Sequence, residues 1–172
     1  MTSDPPTTRS DTDTDTDTDT DTDTSASNRS KTLATWVAVI AGTLGLHRIY
    51  LHGAGDLLAW LHVPLTALGA YGVQRMQVFG QDDRLAWVLI PVLGLMVSQG
   101  MLCAIVYGLT SDEKWATRHN PGQPVRDTGW GPVLGVIAAL LIGAAVLMGT
   151  IAFAGQKYFE TQLDQVNSSK PR

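Results

Sequence analysis

Four stretches of the chain, Leu33 to Tyr50, Leu57 to Val73, Leu85 to Leu109 and Trp130 to Gly155, hold no Asp, Glu, Lys or Arg apart from Arg48 near the end of the first. A bilayer core about 30 Å thick takes roughly 20 helical residues to cross, and each stretch comes near that length or exceeds it. A soluble helix needs a polar outer face, and these stretches lack one on every side. In hydrocarbon a helix satisfies its own backbone, so the same composition is stable there. The pattern predicts an all-α integral membrane protein of four transmembrane helices, with the lipid bilayer as its first partner. The second stretch is interrupted by His62 and Pro64, and it is expected to enter the membrane as half of a hairpin with the first, joined by residues 51–56.

Charge is distributed unevenly, and that decides what the net value of -4 means. Asp4 and the seven aspartates between Asp11 and Asp23 make up half of the 16 acidic residues. From residue 32 onward 8 acidic residues face 9 basic ones, so the surplus belongs to the amino-terminal tail and no nucleic acid is expected as a partner. The tail reads SDTDTDTDTDTDTDTS, with like charge at every second position and nothing apolar to bury. Residues 1–31 are therefore expected to be a disordered acidic spacer. Alternating aspartates also open an EF-hand loop, but threonine stands where that loop needs its glycine and its final glutamate. A polar, acidic lead of this length is not the short basic region of a signal peptide, so the first apolar stretch is expected to be retained.

With the amino terminus in the cytoplasm, the tail, the loop 74–84 and the polar carboxy-terminal segment 156–172 carry 8 basic residues, against 4 on the other side. The excess of Lys and Arg on cytoplasmic loops then predicts both termini inside, in an inner (cytoplasmic) membrane of bacterial type.

At the end of the first stretch the sequence AGTLGLHRIYLHG sets a histidine and an arginine against uncharged neighbours. Arg48 can lay its stem along apolar surface and reach the headgroups, and Tyr50 suits the same layer. Gly42 and Gly45 cost about 1 kcal/mol each in helix propensity, which points to a bare face that a neighbouring backbone approaches. This segment resembles the signature of the TM2 domain family, Gly-x-x-Gly-x-His-Arg-Phe-Tyr-Leu-Gly at the end of a first membrane helix, preceded by a lysine. Lys31, Gly42, Gly45, His47, Arg48, Tyr50 and Leu51 match in register, Ile49 replaces the phenylalanine, and His52 stands at the last glycine's place with Gly53 one later. The resemblance covers residues 31 to about 76, and AYGVQRMQVFGQDDR departs from the family's tryptophan and aspartate pair at the second helix. It implies a membrane helical hairpin over 32–76 and no reaction, while the two later apolar stretches make a second pair of helices over 77–155.

Other residues carry weaker hypotheses. If a helix begins near His52, then His52 and Asp56 share a face and could join His47 around a metal ion, whereas His62 lies about 15 Å further along the axis. Interfacial hydrogen bonding is the plainer role for all of them, and neither a metal nor a cofactor is expected. Pro91 is expected to kink the third helix at Trp87, and Gln99, deep in that helix, to face the bundle interior. Gly131, Gly135, Ala139 and Gly143 recur every four residues along the fourth helix, a packing surface for this chain's own helices or for a second copy. The loop 110–129 opens with Thr110 and Glu113 in capping-box spacing, predicting an interfacial helix from Ser111 to about His119 anchored by Trp115. Cys103 is alone, so no intrachain disulfide forms. No phosphate-binding loop, nucleophile elbow or His-Glu-x-x-His helix occurs. The expected function is non-enzymatic: a small polytopic membrane protein that packs against or modulates membrane partners. The alternatives are a transporter, channel or lipid-handling protein and, behind these, a membrane metal hydrolase.

Overall fold

The computed structural model describes residues 28–168, so the Asp-Thr repeat and the last four residues lie outside it. The described residues are helical and contain no strand. Two helices are long and apolar enough to cross a membrane, α4 (Arg84–Leu109) and α6 (Gly131–Ser168). Asp83 caps α4 by accepting the Leu85 N–H, and the helix is continuous across Pro91. With Pro132 in its first turn, where a missing N–H is harmless, α6 runs for 38 residues. At 1.5 Å per residue that is roughly 57 Å, well beyond a bilayer core.

Small residues bring these two helices together in antiparallel order. Gly108 meets Val136, Ala104 lies against Ala139, Met101 against Gly143, and Gly94 against Thr150. At the far end Lys157 lies over the Trp87 ring at 4.5 Å. Helix α3 (Leu57–Phe79) packs antiparallel on another face of α4, with Gly69 against Leu93 and Gly72 against Leu89. Its 23 residues are long enough to cross, but His62, Pro64, Thr66 and Gln74 dilute its apolar character.

The first apolar stretch is not one helix. Helix α1 (Lys31–Ala41) starts beside the head of α6, where Thr32 meets Gly131 and Thr35 meets Gly135 and Gly108. It descends along α4 and α6 as far as Gly42, where a Cβ would lie 2.8 Å from the Gly100 Cα. Gly100 is in the middle of α4, so α1 stops about half-way down. A 3-10 turn, Gly42–Leu44, ends at Gly45 with φ of 74°, a left-handed conformation that glycine adopts without strain. Helix α2 (Leu46–His52) then climbs back. Its Leu51 packs with Ala34 and Trp115, and its Tyr50 Oη accepts the Ser30 N–H at 2.8 Å. The segment Leu33 to Tyr50 is thus a hairpin of two short helices in place of one long one, and four spanning helices are not found among the described residues.

The same geometry departs from an alternating four-span path. An alternating four-span path puts the start of α1 and the loop 110–129 at opposite ends. They are in contact: Lys31 Nζ lies 2.9 Å from Asp112 Oδ1, and the Arg29 N–H donates to Asn120 at 2.8 Å. The start of α1 and the end of α6 therefore lie at opposite ends of the bundle among the described residues. Around the shaft the surface is apolar, with Leu57 at 81%, Ile40 at 77% and Leu141 at 69% exposure.

Candidate functional site

Residues 42–53 build the two turns that carry the chain from α1 through α2 into α3. Gly42 lets the hairpin tip meet the α4 backbone, and Gly45 brings the start of α2 against Ala59 and His62 of α3, where a Cβ would sit 2.6 Å from the Ala59 carbonyl oxygen. Thr66 of α3 donates its hydroxyl to the Thr43 carbonyl at 2.5 Å, fastening the tip from the other side. Backbone groups freed by the turn thus find partners away from water, as they must in an apolar setting.

His47 is wholly buried, with its ring 6.0 Å from that of His62 and 5.9 Å from that of Tyr107. It fills the space between α3 and α4. The His62 Nδ1–H donates to the Leu58 carbonyl at 2.6 Å, which leaves Nε2 as the lone-pair nitrogen. That nitrogen and both nitrogens of His47 are buried without a hydrogen-bond partner among the described residues. His47, His62 and Tyr107 thus form a small ring cluster at the junction of α2, α3 and α4. Sequence spacing set His62 aside because its distance was reckoned along one straight axis from His52. The chain instead turns between α2 and α3 and brings His62 to His47.

Arg48 does not act as the free snorkelling anchor that was expected. Its Nε donates to Asp56 Oδ2 at 2.8 Å, while Asp56 Oδ1 caps α3 by accepting the Leu58 N–H at 3.0 Å. Burial works to raise the Asp56 pKa, but the Arg48 bond and the Leu58 N–H outweigh it and hold the carboxyl below its ordinary range. Tyr50 is likewise tied to Ser30. Gly53 ends α2 with φ of 86°, and the helix that was to start near His52 starts at Leu57. His52 is exposed and its Nδ1 is 4.0 Å from an Asp56 oxygen already held by Arg48. The set His47, His52 and Asp56 is therefore not assembled, and no group of three metal-ligating side chains occurs among the described residues.

A second polar cluster lies where the first strand of backbone meets α5 (Asp112–His119). Asp112 accepts from Lys31, from the Thr128 hydroxyl at 2.8 Å and from the Thr128 N–H at 3.2 Å. Burial pushes its pKa up, and these three donors more than reverse the effect. Lys31 is only 7% exposed. Trp115, expected to anchor an interfacial helix, is 4% exposed and donates its indole N–H to the Arg29 carbonyl at 2.8 Å. The helix cap is Ser111, accepting the Lys114 N–H, one residue after the Thr110 that the capping-box spacing suggested. Around the cluster is a cavity of about 320 Å³ that also reaches Arg29 and Arg126.

The stripe on α6 faces inward along its length. Gly131 and Gly135 receive α1, Ala139 is fully buried beside Ala38 and Ala104, and Gly143 receives Met101. Of the two uses that its spacing allowed, it serves packing within the chain. Gln99 is exposed on the outer surface of α4, contrary to the inward orientation expected of it. No protein family, curated protein or solved structure matches the chain.

Proposed function

We propose that this chain is an integral membrane protein of the TM2 type that acts by helix packing, without catalysing a reaction. In this reading α3, α4 and α6 cross the bilayer and the α1–α2 hairpin enters and leaves from one side. The observation that carries it is the collar of exposed apolar side chains on every helix of the shaft, while the ion pairs sit at its ends. In water such a collar would lie far outside the patch sizes that soluble chains expose. In favour of the TM2 reading, Gly42, Gly45, His47, Arg48, Tyr50 and Gly53 all lie in or fasten the two turns that enclose α2. At the end with the loop 110–129 stand Arg29, Lys31, Arg48, Lys114, Arg118 and Arg126, against Arg75, Arg84 and Lys157 at the other, so we assign the loop end to the cytoplasm. The start of α1 remains inside as the loop charges suggested, and the end of α6 passes to the opposite side.

The test is alkaline extraction of membranes combined with maleimide labelling. The protein should stay in the pellet, with Leu61→Cys, Leu95→Cys and Leu140→Cys protected and Gln123→Cys modified. Release into the supernatant, or equal labelling at all four positions, would overturn the membrane assignment. Labelling of Asn28→Cys and Gln123→Cys from opposite sides of the membrane would overturn the re-entrant hairpin alone.

A further inference from the structure

We infer that the outer groove between α4 and α6 is where a second copy of this chain docks, with Gln99 of each copy hydrogen-bonded to Gln99 of the other. The inference rests on the membrane placement proposed above. Gln99 lies 15 residues after Arg84 and 10 before Leu109, so roughly 22 and 15 Å separate it from the two ends of α4. That is level with the tip of the α1–α2 hairpin, at the middle of the shaft. Its amide is exposed and makes no hydrogen bond among the described residues.

Its surroundings offer nothing to bond. The groove has a volume of about 430 Å³ and is walled by Leu95, Leu102, Leu140 and Leu147, with Ala144 toward its floor. Ser98 is beside it, but its hydroxyl donates to the Gly94 carbonyl at 2.8 Å. An amide left in hydrocarbon is expensive, and a lipid chain in the groove would leave it so. The occupant must present both a donor and an acceptor at this depth.

A second copy meets that requirement by construction. Two copies inserted in the same sense hold Gln99 at one depth, and a two-fold axis along the membrane normal brings the same patch of each onto the other. A carboxamide carries two N–H donors and a carbonyl acceptor, so two of them can exchange a reciprocal pair of hydrogen bonds. The small, exposed Ala144 allows the approach that such a contact between helices needs. Nothing in the α6 glycine stripe competes for this role, because α1 and α4 already cover it.

The experiment is oxidative crosslinking of the full chain in native membranes, with Cys103→Ala as background. Leu102→Cys, on the groove wall, should form a covalent dimer, whereas Leu68→Cys, exposed on α3, should not. Adding Gln99→Leu should weaken association about tenfold, as expected for losing two interhelical hydrogen bonds. Gln99→Asn, which keeps the amide, should retain most of the dimer. Light scattering in mild detergent should follow the same order. A monomer in membranes, crosslinking at positions 102 and 68 alike, or a dimer indifferent to Gln99→Leu would each overturn the proposal. Alkaline extraction of every variant separates these outcomes from failure of the membrane placement: a pelleted monomer sinks the dimer alone, and a soluble protein sinks both.

Discussion

At the end of the bundle that carries the loop 110–129, the start of α1, α2, α5 and the heads of α4 and α6 interlock through Lys31, Asp112, Trp115, Tyr50 and Asn120, which are far apart in sequence. At the opposite end only α3, α4 and α6 remain, and they meet through glycine-to-side-chain approaches, Lys157 over the Trp87 ring and a local fastening, Arg75 to Asp83 at 2.6 and 3.1 Å. The α1–α2 hairpin makes the difference, because it reaches only to Gly100. A helix and a half in place of a full span lets polar side chains follow the backbone half-way into the bundle, provided each finds a partner. Below the tip no such filler exists, and small residues close the helices directly on one another.

The largest effect in breaking this division should come from the tip. Gly45→Ala meets both a left-handed φ of 74° and the Ala59 carbonyl at 2.6 Å, and Gly42→Leu drives a side chain into the Gly100 backbone. Each should cost about 3 kcal/mol or more in reversible unfolding from mixed micelles, at the upper end of overpacking penalties. Gly149→Leu, in the lower half of α6 with nothing within 4 Å of its Cβ, should stay within about 0.5 kcal/mol of wild type. Equal costs at the three positions would show that the hairpin tip is no special junction.

That tip also marks where the sequence stopped being legible. Helices α4 and α6 announce themselves by long uncharged runs, expected from Leu85 to Leu109 and from Trp130 to Gly155; α4 is found from Arg84 to Leu109, while α6 runs from Gly131 to Ser168, into the stretch expected as a polar tail, because helix continues past the last apolar run. Hydropathy counts residues, and it cannot tell a continuous span from two short helices folded back at Gly45. The glycine pair was read correctly as a bare surface for a close neighbour, but its second property, freedom of φ, decided the topology. The contact of Lys31 with Asp112 and of Trp115 with Arg29 was hidden for the same reason: once α1 was drawn as a span, its start and the loop 110–129 could not touch. Gln99 was placed inward on the rule that membrane polar groups seek the bundle interior, whereas the interior at that level is already occupied by glycine and alanine contacts that leave no room for an amide. The small-residue stripe survived because spacing alone fixes which side chains share a face.

An intermediate effect should appear at the polar end. Asp112→Asn leaves the 7%-exposed Lys31 ammonium without its carboxylate, and an unpaired, nearly buried charge is the costly outcome. The cluster opens onto solvent on its Asp112 side, so about 2 kcal/mol is expected, below the range for a fully buried pair. Tryptic cleavage at Lys114, Arg118 and Arg126 should accelerate, since the loop is held to α1 through this carboxylate. Lys31→Met combined with Asp112→Leu should recover part of the loss, because no charge is then left alone. Unchanged cleavage in Asp112→Asn would mean that Trp115 and Asn120 hold the loop by themselves.

The smallest effect, and the one that compares the two ends most directly, is their response to acid. The Arg75 guanidinium is the main cause that holds Asp83 below its usual pKa; burial opposes it, and the N–H groups of Leu85 and Ala86 assist. At the other end Asp112 is also held low, by Lys31 and Thr128 against its burial. A carboxyl with a folded pKa below its unfolded value of about 4 lends stability that is complete above that value. The contribution disappears as the pH falls through the lower, folded pKa. Both ends should therefore be unaffected between pH 5 and 8 and loosen below about pH 4. In Asp83→Asn the acid loss at the α3–α4 turn should vanish while that of the loop 110–129 persists, and Asp112→Asn should give the reverse. Hydrogen exchange of residues 76–87 and 110–129, followed from pH 6 to pH 3, reads the two ends separately. A single acid transition that moves both segments together in either variant would show that the hairpin couples the ends into one cooperative unit, and the contrast between them would then be one of composition and not of stability.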